Sequence, residues 1–240
     1  MTHYDSSLRF LFHDADIRGE CVVLSEALNE ITSVHHYSNS IKQLLGEFAA
    51  AAVLISNNLK YQGKIILQAR ASGPLELIMM ECTSDSQIRG IARGDLDAEA
   101  INPLDLLTDG QLAITIERNG GQRYQGIVGL DSDTLAGALE NYFLQSEQLQ
   151  TRFWLTAQQD IAAGMMLQQL PAQLQQQPAT RQNQWETAFI LAETVTPAEL
   201  VELPPATMLH RLFHETPVRL FEPSPVTFGC SCSRERSLNA

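Results

Sequence analysis

Leu112-Ala113-Ile114-Thr115-Ile116, then Asn119-Gly120-Gly121, then Tyr124-Gln125-Gly126-Ile127-Val128-Gly129 follow in close succession. Two β-rich runs on either side of residues that tolerate a left-handed backbone predict a β-hairpin. The texture extends backward from there. Gly63-Lys64-Ile65-Ile66-Leu67-Gln68-Ala69, Leu75-Glu76-Leu77-Ile78-Met79-Met80 and Ile88-Arg89-Gly90-Ile91-Ala92-Arg93 are short apolar segments, the first two divided by Ser72-Gly73-Pro74. Strands at this spacing with no helix between them form an antiparallel sheet, so the fold class is α+β.

Upstream, Leu8 to Phe12 is apolar, and Ile17 to Leu24 carries the β-branched residues of a strand. Ser25 is placed to cap a short helix through Ile31. Residues 40–59 read as a long helix, with Ile41, Leu44, Leu45, Phe48, Ala52 and Ile55 at three- and four-residue spacings. Its centre, Ala49-Ala50-Ala51-Ala52, is small on every side, which suits close packing against another element.

Downstream of the hairpin, Asp133 is placed to cap a helix over residues 134–146. Residues 151–155 and 164–168 form a further strand pair. Residues 171–184 are rich in Gln with two prolines and read as a connector. Helical segments follow over 185–195, 197–203 and 205–214. The second opens with Thr196-Pro197-Ala198-Glu199, which supplies an N-cap, a proline at the first helical position and a glutamate two later. The organisation is an α+β body over 1–170, a connector over 171–184, a helical linker over 185–222 and a tail over 223–240.

Hydrophobic residues make up 44% of the 240-residue chain and charged residues 18%, the mix of a folded protein with a sizeable core. A formal charge of −12 disfavours nucleic acid as partner, because phosphate contacts need clustered Lys and Arg. The first residues lack the charged and apolar regions of a signal peptide, and the longest apolar run is too short for a bilayer. No membrane association and a cytoplasmic location are therefore expected. The 4 cysteines are too few and too spread for a disulfide scaffold.

Candidate chemistry is sparse. His210 and His214 have the i, i+4 spacing of a metal pair on a helix, but Arg211 stands where a metalloprotease helix carries Glu. Two histidines at this spacing more often mark a half-buried helix face than a metal pair. His35 and His36 point apart, and His13 with Asp14 and Asp16 is expected to face solvent. Gly90-Ile91-Ala92-Arg93-Gly94 lacks the spacing of a phosphate loop, and no nucleophile sits in a recognisable frame. Cys21 and Cys82 lie in apolar strands, where cysteine behaves as a small hydrophobe. No catalytic residue is assigned.

Near the end stands Phe228-Gly229-Cys230-Ser231-Cys232-Ser233-Arg234-Glu235-Arg236. Two thiols one residue apart can share a soft metal such as Zn²⁺ or be oxidised. Arg234 and Arg236 favour the thiolate. Two ligands do not close a tetrahedral zinc site. A disulfide between them would close a small, strained ring, easily reduced, as suits a switch.

Nearly the whole chain resembles the heat shock protein 33 family of redox-regulated bacterial chaperones. The resemblance is carried by Ile17-Arg18-Gly19-Glu20, Gly73-Pro74-Leu75, residues 89–93 and 123–130, Leu139-Glu140-Asn141-Tyr142-Phe143-Leu144-Gln145-Ser146-Glu147-Gln148-Leu149, residues 163–168 and 209–215, and the cysteine stretch. It implies a homodimeric, ATP-independent holdase for unfolding client proteins, activated by disulfide formation and zinc release. In the family a C-x-C and a later C-x-x-C hold the zinc in the reduced state. Cys230 and Cys232 match the first pair; Cys21 and Cys82 match neither. With no second pair before Ala240, a complete site is not expected within these residues. The chain reads as truncated, with zinc absent or weakly held and client binding unlocked.

The helices after Pro197 offer Leu200, Val201, Met208, Leu209, Leu212 and Phe213 either as a coverable client surface or as padding for the sheet. A zinc-ribbon adaptor for one partner and a metal-assisted hydrolase using His210 and His214 are the rival classes.

Overall fold

The computed structural model describes residues 4–57, 62–121, 123–158, 160–174 and 177–229. Elements run in the order β1 (Ser6–Phe12), β2 (Ile17–Leu24), α1 (Glu26–Thr32), α2 (Asn39–Ser56), β3 (Gly63–Arg70), β4 (Leu75–Thr83) and β5 (Gln87–Gly94). They continue with β6 (Gln111–Arg118), β7 (Arg123–Gly129), α3 (Leu135–Tyr142), β8 (Thr151–Gln158), β9 (Ile161–Gln169), α4 (Pro178–Ala192), α5 (Pro197–Glu202) and α6 (Pro205–Leu212). Three short strands complete the series: β10 (Val218–Leu220), β11 (Ser224–Pro225) and β12 (Thr227–Phe228).

Two sheets result. One has the order β10-β1-β2-β9-β8, with β11 also on β1; the other has the order β12-β5-β4-β3-β6-β7. Every pairing is antiparallel except β12 with β5. The expected hairpin joins β6 and β7, with Gly120 at φ 69 in the turn. The fold is α+β.

Helix α2 lies between the sheets, and its central alanines are fully buried. Their small side chains let both sheets approach one helix. Its cap is Ser38, whose hydroxyl accepts from the N–H of Ile41. The first sheet is therefore apolar on both faces. Val22, Leu24 and Met166 point toward α2, while Cys21, Val23, Met165 and Leu167 point into a second core built with α4, α5 and α6. Strands buried on both faces read as continuous apolar runs, as residues 21–24 do.

Several boundaries differ from the sequence expectation. Ser25 makes no side-chain cap; the Asp5 carboxylate accepts from the N–H groups of Ser25, Glu26 and Ala27, each at 3.0 Å. Thr134, not Asp133, caps α3 by accepting from Gly137 N–H. That helix ends at Tyr142 and gives way to a π-helical turn, Phe143–Glu147. The connector is shorter than expected, because α4 begins at Pro178, with proline at its first turn. The Thr196–Glu199 capping box forms as expected.

At the C-terminal end of α2 a polar chain joins the sheets. Asn57 donates to Ser7 Oγ (2.8 Å) and Glu20 Oε1 (2.6 Å), and accepts from Ser86 Oγ (3.0 Å). Glu20 is fully buried, and burial, opposed by its hydrogen bonds, raises its pKa to about 7. Glu47, on α2, is raised to about 7 by the same cause. A carboxyl with a raised folded-state pKa stays protonated in the fold while the unfolded chain has already lost its proton. Stability thus falls as pH rises from the ordinary carboxylate range to about 7 and is level above it. Glu20→Gln is expected to remove about half of that slope, with Glu47 keeping the rest. Urea midpoints should show it more stable than the parent at pH ~8, by on the order of 2 kcal/mol, and matched to it at pH ~5. A parallel pH dependence in both proteins would refute the assignment.

Candidate functional site: a helical cover on an apolar sheet face

The outer face of the first sheet presents Leu8, Phe10, Phe12, Cys21, Val23, Met165 and Leu167, all buried beneath the linker helices. From the cover, α4 contributes Trp185, Ala188 and Ala192. Helices α5 and α6 contribute the positions singled out from sequence. Leu200, Val201, Met208, Leu209 and Phe213 are buried there, and Leu212 is half-buried against the same core. As folded, they pad the sheet; they form a free surface only when the cover lifts.

Phe213 is the keystone of this contact. Its ring meets Phe12 edge-on at 4.9 Å and lies 6.2 Å from Phe10. Phe10 in turn lies across Gly19, its cross-strand partner, where any Cβ would strike the ring. The apolar plug thus depends on a residue without a side chain on the neighbouring strand.

Polar latches hold the cover's edges. Asp16, expected at the surface with His13 and Asp14, is buried. Its carboxylate accepts from the N–H groups of Gln173 and Leu174 and pairs with Arg181 Nε at 3.3 Å. Arg181 also donates to the Leu170 carbonyl at 2.7 Å, so one guanidinium ties the start of α4 to the end of β9. His13 and Asp14 are exposed, paired at 2.9 Å. At the other end of α4, Trp154 Nε1 donates to Glu193 at 3.0 Å, and the Arg152 guanidinium stands 4.8 Å over the Phe189 ring. No local pattern marks the Asp16–Arg181, Trp154–Glu193 and Arg152–Phe189 pairs, whose members lie 37 or more residues apart.

After α6 the chain forms an edge-to-edge strap. Strand β10 pairs with β1 through Phe10↔Leu220, Leu11↔Arg219 and Phe12↔Val218, and β11 continues on the same strand. Val226 N–H then donates to the Asp5 carbonyl at 2.8 Å, and β12 runs parallel to β5 on the second sheet. Gly229 N–H donates to the Ile88 carbonyl at 3.0 Å. The residue before Cys230 is thus fixed to the edge of the second sheet. Cys230 and Cys232 themselves lie outside the described residues.

Zinc needs thiolates, imidazoles or carboxylates in a fourfold set. Cys21 and Cys82 do not fit one. Both are buried in strands; burial pushes the Cys82 thiol up to about 12 and the Cys21 thiol further in the same direction. Among the described residues, no three His, Cys, Asp or Glu side chains stand together as a metal requires. His210 and His214 do not share a helix, because α6 ends at Leu212; both are exposed, and His214 Nδ1 lies 3.4 Å from the Arg211 carbonyl.

Both tryptophans of the chain sit at the cover's interface, one buried on α4 and one bonded to it. Phe213→Ala should weaken docking by about 3 kcal/mol, the usual cost of emptying a buried aromatic site. The expected signature is red-shifted tryptophan emission and faster tryptic cleavage at Arg181 and Arg211, with far-UV circular dichroism of the body retained. Asp16→Asn should act in the same direction more weakly. Parent-like emission and cleavage in Phe213→Ala would show that the plug does not hold the cover.

Comparison with known proteins places this architecture. The family model described as Hsp33 protein matches residues 5–240. The 33 kDa chaperonin of Pseudomonas paraeruginosa is 50% identical over 244 residues, covering 100% of this chain and 82% of that protein. The 33 kDa chaperonin of Ectopseudomonas mendocina is 51% identical over 240 residues, covering 98% and 81%. The crystal structure of the 33 kDa chaperonin (heat shock protein 33 homologue) of Thermotoga maritima superposes with a TM-score of 0.84 at 21% identity, covering 98% of this chain and 83% of that one, and shares the fold. With two sheets around one buried helix, a docked helical cover and a full-length family match, this chain belongs to the Hsp33 family.

Proposed function

We propose that the protein is a holdase chaperone whose client surface is the apolar interface between the first sheet and its cover. The observation that carries this reading is the second core: an apolar sheet face closed by helices that polar latches and one strap retain. Opening it would expose Phe10, Phe12, Val23 and Met165 on the sheet and Leu200, Val201, Met208, Leu209, Leu212 and Phe213 on the helices. A continuous apolar surface of that kind holds unfolding chains without sequence specificity. No nucleotide is needed, because release of the cover is a population shift between closed and open forms.

The switch in this proposal is the thiol pair at Cys230 and Cys232. Oxidation would join the two sulfurs, with two protons and two electrons passing to a peroxide that is reduced to water and alcohol or to water alone. In the reduced state the pair would supply two of the four donors of a zinc site; zinc, when bound, holds its ligand segments in a fixed fold. The strap links that event to the cover. It starts directly after α6, crosses both sheets and ends beside Cys230, so strain in the thiol segment would act on β12, then β11 and β10, and then on Phe213. Dimerisation and a cytoplasmic location belong to the same reading. Among the described residues, no helix is long and apolar enough to cross a membrane.

The test is light scattering of two unrelated, thermally unfolding enzymes without ATP. Although the sequence alone predicts unlocked client binding, the cover is docked on the sheet, so peroxide-treated parent should suppress aggregation several-fold better than reduced parent. Cys230→Ser/Cys232→Ser should lose that oxidant response, and Phe213→Ala should protect clients even when reduced. If reduced Phe213→Ala protects no better than reduced parent, the covered face is not the client surface.

A further inference from the structure

On the opposite face of the first sheet from the cover, a cavity of about 640 Å³ lies between the two sheets at the last turn of α2. That size falls within the range of small-molecule sites, ~300–1,000 Å³. Ile55, Ile114, Ile116 and Met166 supply an apolar floor, and Tyr124, Tyr142 and Phe143 supply aromatic walls. Arg18, Arg118 and Arg123 line the same space with one acid, Glu147. Glu117, outside the lining, pairs with Arg123 at 3.6 Å, so two carboxylates stand against three guanidinium groups, still a local reversal in a chain of net charge −12. A cleft whose charges are mostly of one sign concentrates ions of the other.

The recess is built by specific local structure. Arg18 is held by Gln168, whose Oε1 accepts from Nε at 3.0 Å; the Gln168 amide is itself buried and donates to Thr151 Oγ1 at 2.8 Å. Tyr142 lies against Gly126, where a Cβ would strike its ring, and its hydroxyl donates to Glu147 at 3.4 Å. The π-helical turn Phe143–Glu147 brings Ser146 and Glu147 to the wall, and such turns recur at functional sites.

We propose that this cavity binds a small organic anion: one phosphate or carboxylate head on an aromatic body. The head would face Arg18, Arg118 and Arg123, where guanidinium groups make paired, charge-assisted hydrogen bonds. The body would lie against Tyr124, Tyr142 and Phe143. The inference is independent of the holdase reading, since the cavity and the cover use opposite faces of β2 and β9.

Methyl-labelled protein titrated with phenyl phosphate tests it by NMR. Saturable shifts are expected for the methyls of Ile55, Ile114, Ile116 and Met166, and none for Met208 and Leu209 beneath the cover. The double variant Arg118→Ala/Arg123→Ala changes only exposed rim residues, and it should weaken binding ~10-fold or more. Inorganic phosphate alone and phenol alone should each bind at least ~10-fold more weakly than phenyl phosphate. Three results would overturn the proposal: no saturable shift at the cavity methyls, affinity unchanged in the double variant, or inorganic phosphate or phenol binding as tightly as phenyl phosphate.

Discussion

One helix packed between two sheets sets the terms for everything else in this protein. From Phe48 to Ile55 helix α2 is apolar around its whole circumference, and its four central alanines bring both sheets close to its axis. Each sheet spends one face on that contact. The outer face of the first sheet, however, is also apolar, because β1, β2 and β9 carry Phe10, Val23 and Met165 on the side away from α2. Such a face has a strong free-energy preference for company. Helices α4 to α6 provide it within the chain, and anything that weakens their hold leaves the preference unsatisfied. The chaperone reading follows from that competition between an internal cover and an external client.

Polar groups help to hold the cover in place. Hydrophobic burial supplies the bulk attraction, while Asp16–Arg181 and Trp154–Glu193 act at the two ends of α4. Charge-assisted contacts of this kind fix register more than they add stability. Phe213 closes the centre, and the strap that follows it carries the chain to the second sheet.

Most of the architecture was legible where the physical signal is local. Short apolar, β-rich runs between turn signals located β3, β4 and β6, the Asn119-Gly120-Gly121 turn located the hairpin, and the Thr196–Glu199 box located α5. Apart from the α3 cap, which moved by one residue, the main readings that shifted did so because a distant residue supplied the deciding contact. Asp5 caps α1 from 20 positions upstream, which Ser25 alone concealed. Asp16 is buried because backbone donors more than 150 positions away reach its carboxylate. Helix α4 starts inside a Gln-rich stretch whose composition resembles a loop, and packing of Trp185 and Ala188 decides the matter. The cysteine pair was visible in sequence, and its meaning rested on family resemblance, since two adjacent thiols by themselves fit several chemistries.

The strap also bears on how the chain reaches its fold. Strands β10 and β11 cover the free edge of β1, and β12 covers the free edge of β5, so both sheets are finished by the same dozen residues. During synthesis those residues emerge late, and until then each sheet presents an unpaired strand edge of the sort that invites pairing with other chains. The contact between Val226 and Asp5 closes nearly the whole chain into one loop, and contacts of such long sequence separation form slowly. A member of a chaperone family is thus, by its own topology, exposed to that hazard until β10, β11 and β12 arrive.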